Sequence, residues 1–174
     1  IIMAYFLQSI IHLPLRIYYK LFWHIKIRGQ ENLIGLKRPL LVISNHKSLH
    51  DPWLIGSSLP FFSPLLPIWC LAGSKFYEPL QTLYNIGVIP FVYWFFGVTA
   101  IPSGGDFEAK IKPAIDALSQ KKTVVIFPEG KRVFEDKIEE FRRGVAEVAI
   151  RTKVPIVPVV RRNLQDARVV PTRV

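Results

Sequence analysis

Four short apolar runs separated by stretches of helical character constrain the fold more than any other feature of this chain. "PLLVISN" (39–45), "GVTAIP" (97–102), "KTVVIFPEG" (122–130) and "VPIVPVV" (154–160) are rich in β-branched residues and bounded by turn residues, so each reads as a buried strand. Between them, "DPWLIGSSL" starts a helix, with Asp51 placed to act as N-cap and Pro52 at the first helical position. "DFEAKIKPAIDALSQ" sets Phe107, Ile111, Ile115 and Leu118 at helical spacing, and "EEFRRGVAEVAIRT" reads as a further helix. Strands alternating with helices predict an α/β fold: a largely parallel sheet flanked by helices. With 174 residues and half of them hydrophobic, one domain with a proper core is expected.

The N-terminus is of another kind. "IIMAYFLQSIIHLPLRIYYKLFWHIKIRG" is apolar and aromatic, yet carries Arg16, Lys20, Lys26 and Arg28. It is too short to span a bilayer with confidence in its polar interruptions, since a span needs about 20 apolar residues. It lacks a basic leader and a small-residue cleavage site. The expectation is a membrane-associating helical segment over residues 1–28, broken near Pro14, followed by an α/β domain over 29–174. The chain's net charge is +10, and up to Tyr77 the only acids are Glu31 and Asp51. Such an excess calls for an anionic partner. The bulky aliphatic residues between the charges favour an anionic membrane surface over nucleic acid. A second apolar stretch, from "LPFFSPLLPIWCLAG" to "LYNIGVIPFVYWFFGVTAIP", holds five prolines within those two quoted segments. It packs on the core or forms a lipid-facing wall. Cys70 is alone, which suits a reducing compartment, and no Cys/His grouping has zinc-ligand spacing, so no metal is expected. The expected location is a membrane, on its cytoplasmic face.

Two polar clusters directly follow strands, where α/β folds collect their ligands. In "NHKSLHDP" (45–52), His46 and Asp51 stand five residues apart across a turn. A neutral imidazole can take a proton from a hydroxyl while a carboxylate fixes its tautomer. The competing reading is that Asp51 only caps the helix. His50 adjoins Asp51 and is the weaker partner, because neighbouring side chains diverge. "FPEGKR" (127–132) offers backbone N–H groups and two cations to a phosphate, or is a solvated turn. Neither a serine-hydrolase elbow nor a P-loop is present.

Taken in order, these blocks resemble the glycerolipid acyltransferases, the family of 1-acylglycerol-3-phosphate acyltransferase. The Asn-His-x-Ser-x-x-Asp block is met by Asn45, His46, Ser48 and Asp51. The Phe-Pro-Glu-Gly-Thr-Arg block is met by Phe127, Pro128, Glu129, Gly130 and Arg132, with Lys131 in place of Thr. Val154, Pro155, Ile156 and Pro158 match the Val-Pro-Ile-x-Pro block. In the remaining block Ser103 and Gly104 stand where the family has Asp and Arg, so a phosphate-holding cation is missing. Lys131 is the expected substitute, and Lys75 resembles a family lysine. The resemblance implies transfer of an acyl group from acyl-CoA or acyl-carrier protein to lysophosphatidate, with no cofactor. It implies catalysis by His46 and Asp51, and substrate binding by Glu129, Gly130, Arg132, Lys131 and Lys75. Glycerol 3-phosphate or another lysolipid remains an alternative acceptor, and a non-catalytic lipid-binding module an alternative role.

Overall fold

The computed structural model describes residues 2–169 apart from 49, 61–62, 74–78, 134–136, 138 and 162–165. The chain opens with helix α1 (Ile2–Phe22) and strand β1 (Lys26–Arg28). Next come β2 (Leu40–Ser44), α2 (Asp51–Ser58) and β3 (Ile68–Gly73). Helices α3 (Leu80–Asn85) and α4 (Val88–Phe96) lead into β4 (Val98–Ile101). Helix α5 (Phe107–Ser119), β5 (Thr123–Ile126), α6 (Arg143–Thr152), β6 (Ile156–Arg161) and β7 (Asp166–Val169) complete the order. Among the described residues the strands form one seven-stranded sheet, ordered β1-β7-β6-β2-β5-β3-β4. Every pairing is parallel except β6 with β7, which is antiparallel. This is the largely parallel sheet that the alternation predicts.

Strand β2 is central and apolar on both faces, as a covered parallel strand must be. Leu40 and Val42 pack with Ile55, Leu59, Leu66, Val125 and Val157, under α1 and α2. Leu41, one residue out of phase, packs with Ile111, Leu118, Val124, Val145 and Val148, under α5 and α6. Each such Leu or Val contributes about 1.5–3 kcal/mol by leaving water. Register then does the functional work. Ile43 of β2 is paired with Ile126 of β5 and with Pro158 of β6. Three residues further along each strand stand His46, Glu129 and Arg161, in one row at the carboxyl edge of the sheet.

Two sequence expectations are corrected and one unforeseen strand is added. Helix α1 is not broken at Pro14 but runs through it. Pro14 lies on the exposed side, where the Ile10 carbonyl that loses its N–H partner can turn to water. Two α1 side chains ahead of it are also anchored. Gln8 accepts from the Ile68 N–H at 2.8 Å and donates to the Ile68 and Phe96 carbonyls, and the His12 Nε2 bonds the Leu59 carbonyl at 2.9 Å. Second, "IWCLAG" is strand β3, hidden in sequence by its proline-rich flanks. Third, Lys26–Arg28 forms β1 of the sheet, pairing with β7, although it lies inside the segment expected to associate with a membrane. Among the described residues no helix is long and apolar enough to cross a membrane.

Candidate active site

The loop after β2 folds back so that His46 meets Asp51. His46 Nδ1 lies 2.8 Å from Asp51 Oδ2, and Asp51 is almost wholly buried. The carboxylate does not cap α2, as the competing reading had it. It turns back toward the loop, accepting the N–H groups of Lys47 and Ser48 at 2.7 Å each. No side-chain hydrogen bond caps α2. An ionised carboxylate can only accept, so Nδ1 carries the proton and Nε2 keeps its lone pair. Burial alone would raise the Asp51 pKa. His46, the Ser48 N–H, Arg161 and the Lys47 N–H outweigh it and hold the carboxyl below its ordinary range. The His46 ring stacks on Phe127, centroids 4.2 Å apart and planes 19° off parallel, which fixes its tilt.

Arg161 closes the site from β6. Its guanidinium donates to Asp51 Oδ1 and, at 2.8 Å, to Ser48 Oγ, and the residue is buried. Its backbone exchanges two 2.8 Å hydrogen bonds with the Asn45 amide. Asn45 therefore clasps the end of β6 to the end of β2. Glu129 is buried too, and its Oε2 accepts the backbone N–H of His46 at 2.8 Å. Among the described residues its Oε1 has no hydrogen-bond partner. His50 faces the other way: its Nδ1 lies 3.3 Å from the Tyr19 hydroxyl and its ring packs on Tyr19 and Trp23. Burial pushes the Tyr19 hydroxyl up to about 12, so it is protonated at neutral pH.

Beside His46 lies a cavity of about 1020 Å³ that runs across the carboxyl edge of the sheet. On the α1–α2 side it is mainly apolar, with Leu15, Trp53, Gly56, Ile68 and Phe96 among its walls. On the α5–α6 side, apolar walls such as Ile111 and Val148 are joined by cations of α5, of the turn after β5 and of the start of α6: Lys110, Lys131, Arg132, Arg142 and Arg143. A histidine with a free lone pair at the junction of an apolar limb and a cationic limb can deprotonate the hydroxyl of an anionic amphiphile.

Residues 24–162 match the acyltransferase family. The chain belongs to that family. It is 30% identical over 151 residues to 1-acyl-sn-glycerol-3-phosphate acyltransferase of Saccharomyces cerevisiae, covering 80% of this chain and 43% of the yeast protein. It is 30% identical over 145 residues to the human alpha form of that enzyme, covering 82% of this chain and 47% of the relative. The chain thus spans less than half the length of these curated relatives. The crystal structure of the 1-acyl-sn-glycerophosphate acyltransferase PlsC from Thermotoga maritima superposes with a TM-score of 0.61. That match covers 93% of this chain and 67% of the other at 19% identity, and it shows a shared fold.

Of the residues singled out from sequence, the acyltransferase fold brings His46, Asp51, Glu129 and Gly130 together and puts Lys131 and Arg132 on the cavity wall. Gly130 has φ 67°, and a Cβ there would stand 2.5 Å from Arg142 Nε. The left-handed backbone favours glycine, and a side chain there would push the Arg142 side chain away from the turn. Lys131 binds Glu139 at 2.7 Å, so the cation expected to compensate for the one missing at Ser103–Gly104 already has a carboxylate. Lys75 lies outside the described residues. Sequence reading missed Arg161 and the cations of α5 and α6. A charged pair directly after the apolar "VPIVPVV" was the available signal for Arg161.

Proposed function

We propose that this acyltransferase domain moves a fatty acyl group from an acyl thioester to the free hydroxyl of 1-acylglycerol 3-phosphate, giving phosphatidate. The supporting observation is the His46–Asp51 pair at the meeting point of the apolar and cationic limbs of one cavity. His46 Nε2 takes the proton of the acceptor hydroxyl as its oxygen forms a bond to the thioester carbonyl carbon. Asp51 holds the imidazolium that results. Collapse of the tetrahedral adduct breaks the C–S bond, and the departing sulfur receives the proton from His46. The step as proposed uses no metal or prosthetic group. Glu129 acts through the backbone of His46, holding the loop rather than the substrate.

The station proposed for the domain is an anionic membrane surface on its cytoplasmic face. Helix α1 supports this, because it is built inside out. Ser9 and His12 are buried, while Phe6, Ile10, Leu13, Ile17 and Leu21 form an exposed stripe at helical spacing. Phe91 and Trp94 of α4 are exposed as well. A lipid acceptor can then enter the apolar limb without crossing water. Thiol release by the purified protein, read across a panel of lysolipids with acyl-CoA or acyl-carrier protein, tests the reaction. Release that depends on lysophosphatidate is the expected result. No release with any lysolipid would refute it.

A further inference from the structure

The acceptor's phosphate is separated from the attacked hydroxyl by only two carbons and one oxygen, so its ligands must stand close to His46. At Ser103–Gly104, beside the cavity, the phosphate-holding cation expected from the family is missing, and Lys131 is bound to Glu139. Two other cations are better placed. The Arg142 N–H donates to the Pro128 carbonyl at 2.9 Å, and the Arg142 side chain lies against Gly130. Arg142 therefore packs directly on the turn whose Glu129 holds the His46 backbone. Arg143 stands next to it with its guanidinium 4.3 Å above the Phe107 ring. Both line the cavity that His46 lines, and among the described residues neither side chain has a carboxylate partner.

Two nearby acids are engaged elsewhere. Asp106 caps α5 through the Ala109 N–H, and Glu108 binds Arg151 at 2.7 Å. Two guanidinium groups without a carboxylate partner among the described residues, one seated on a glycine and one on an aromatic face, can receive an anion. A phosphate monoester carries a charge of about −1.5 to −2 at neutral pH, which two cations match. Helix α6 begins at the same place without a side-chain cap, so its dipole adds positive potential. We propose that Arg142 and Arg143 form the subsite for the acceptor's phosphate monoester, in place of the cation absent at Ser103–Gly104, with Phe107 positioning Arg143. The inference rests on the acyl-transfer reading, but the binding it asserts can be measured without turnover.

The first measurement is calorimetric binding of glycerol 3-phosphate to the full chain and to the Arg142→Gln, Arg143→Gln, Arg142→Lys and Phe107→Leu variants. Each Gln variant is expected to weaken binding about ten- to a hundredfold, the loss of one charge-assisted contact. Arg142→Lys keeps the charge but not the fork and should fall between. Phe107→Leu removes no charge, so a severalfold loss there reports positioning. The second measurement is steady-state kinetics. KM for lysophosphatidate should rise in the Gln variants, while KM for acyl-CoA and turnover of an uncharged monoacylglycerol stay as in the parent. Unchanged glycerol 3-phosphate binding in both Gln variants overturns the subsite, because the two arginines are then a solvated face. A rise confined to KM for acyl-CoA also overturns it, assigning the arginines to the donor's phosphates. If the parent chain binds glycerol 3-phosphate through these arginines yet releases no thiol, the subsite stands and the acyl-transfer reading fails. Both arginines are exposed and outside the core, so the variants are expected to fold.

Discussion

Replacing Arg161 by Met tests whether the carboxylate at the centre of the site depends on a cation from β6. Asp51 and Arg161 are 2% and 4% exposed, so solvent does little to screen them. Breaking a buried pair by removing one partner costs about 3–5 kcal/mol, because the other charge is left uncompensated. Asp51 would keep the Lys47 and Ser48 N–H groups and His46, which argues for the lower end, about 3 kcal/mol. The Asn45 clasp uses Arg161 backbone atoms and should survive. For a small protein, that loss would move a urea midpoint down by about 1–3 M. The decisive assay is a double-mutant cycle with Asp51→Asn, read by urea unfolding. Once Asp51 carries no charge, removing the guanidinium should cost far less. The double variant should therefore be about 2–3 kcal/mol more stable than the sum of the single losses predicts. Losses that add within about 0.5 kcal/mol would show that the two charges do not depend on each other, and the reasoning would fail.

His46→Ala should lower turnover roughly 10²- to 10⁴-fold with the fold intact, whereas His50→Ala, turned toward Tyr19, should cost far less; equal losses in the two would remove the general-base role. Asp51 has a folded pKa below its unfolded value of 3.8, so the stability it contributes is present above that pH and is lost as pH falls through the folded value. Acid unfolding of Asp51→Asn should accordingly show a shallower slope below pH 4 than the parent does. His12 is also lowered, mainly by burial, so protons bind the unfolded chain first and stability should decline as pH drops below 6.5. His12→Gln keeps a donor for the Leu59 carbonyl and should flatten that decline in pH-dependent thermal melts. Joint replacement of Phe6, Ile10, Leu13 and Ile17 by Ser should weaken binding to anionic vesicles at least about a hundredfold, since each buries about half of a 1.5–3 kcal/mol side chain. Undiminished vesicle binding would move the contact surface to α4.

The strand–helix alternation, the central strand β2 and the blocks that mark the family were all legible in the sequence, because each rests on local pattern. A period of two puts Leu40 and Leu41 on opposite faces in any sheet, and helical spacing buries Ile111 and Leu118 together. The His46–Asp51 pair was visible as one of two readings, since five residues can turn back on themselves or simply enter a helix. Choosing between them took the tertiary structure, where Arg161 and two loop N–H groups compete for the carboxylate that would otherwise cap α2. Arg161 stands 110 residues from Asp51, and no local rule joins them. Only the register of β2 against β5 and β6 sets His46, Glu129 and Arg161 in one row. The inside-out face of α1 was undecided for the same reason. Its composition is amphipathic either way, and what turns Gln8 and His12 inward is the set of backbone groups at Leu59, Ile68 and Phe96 that need partners once those segments are packed. Hydrogen-bond demand of that kind arises only after distant segments are brought together, so it is written in the fold and not in the order of the residues.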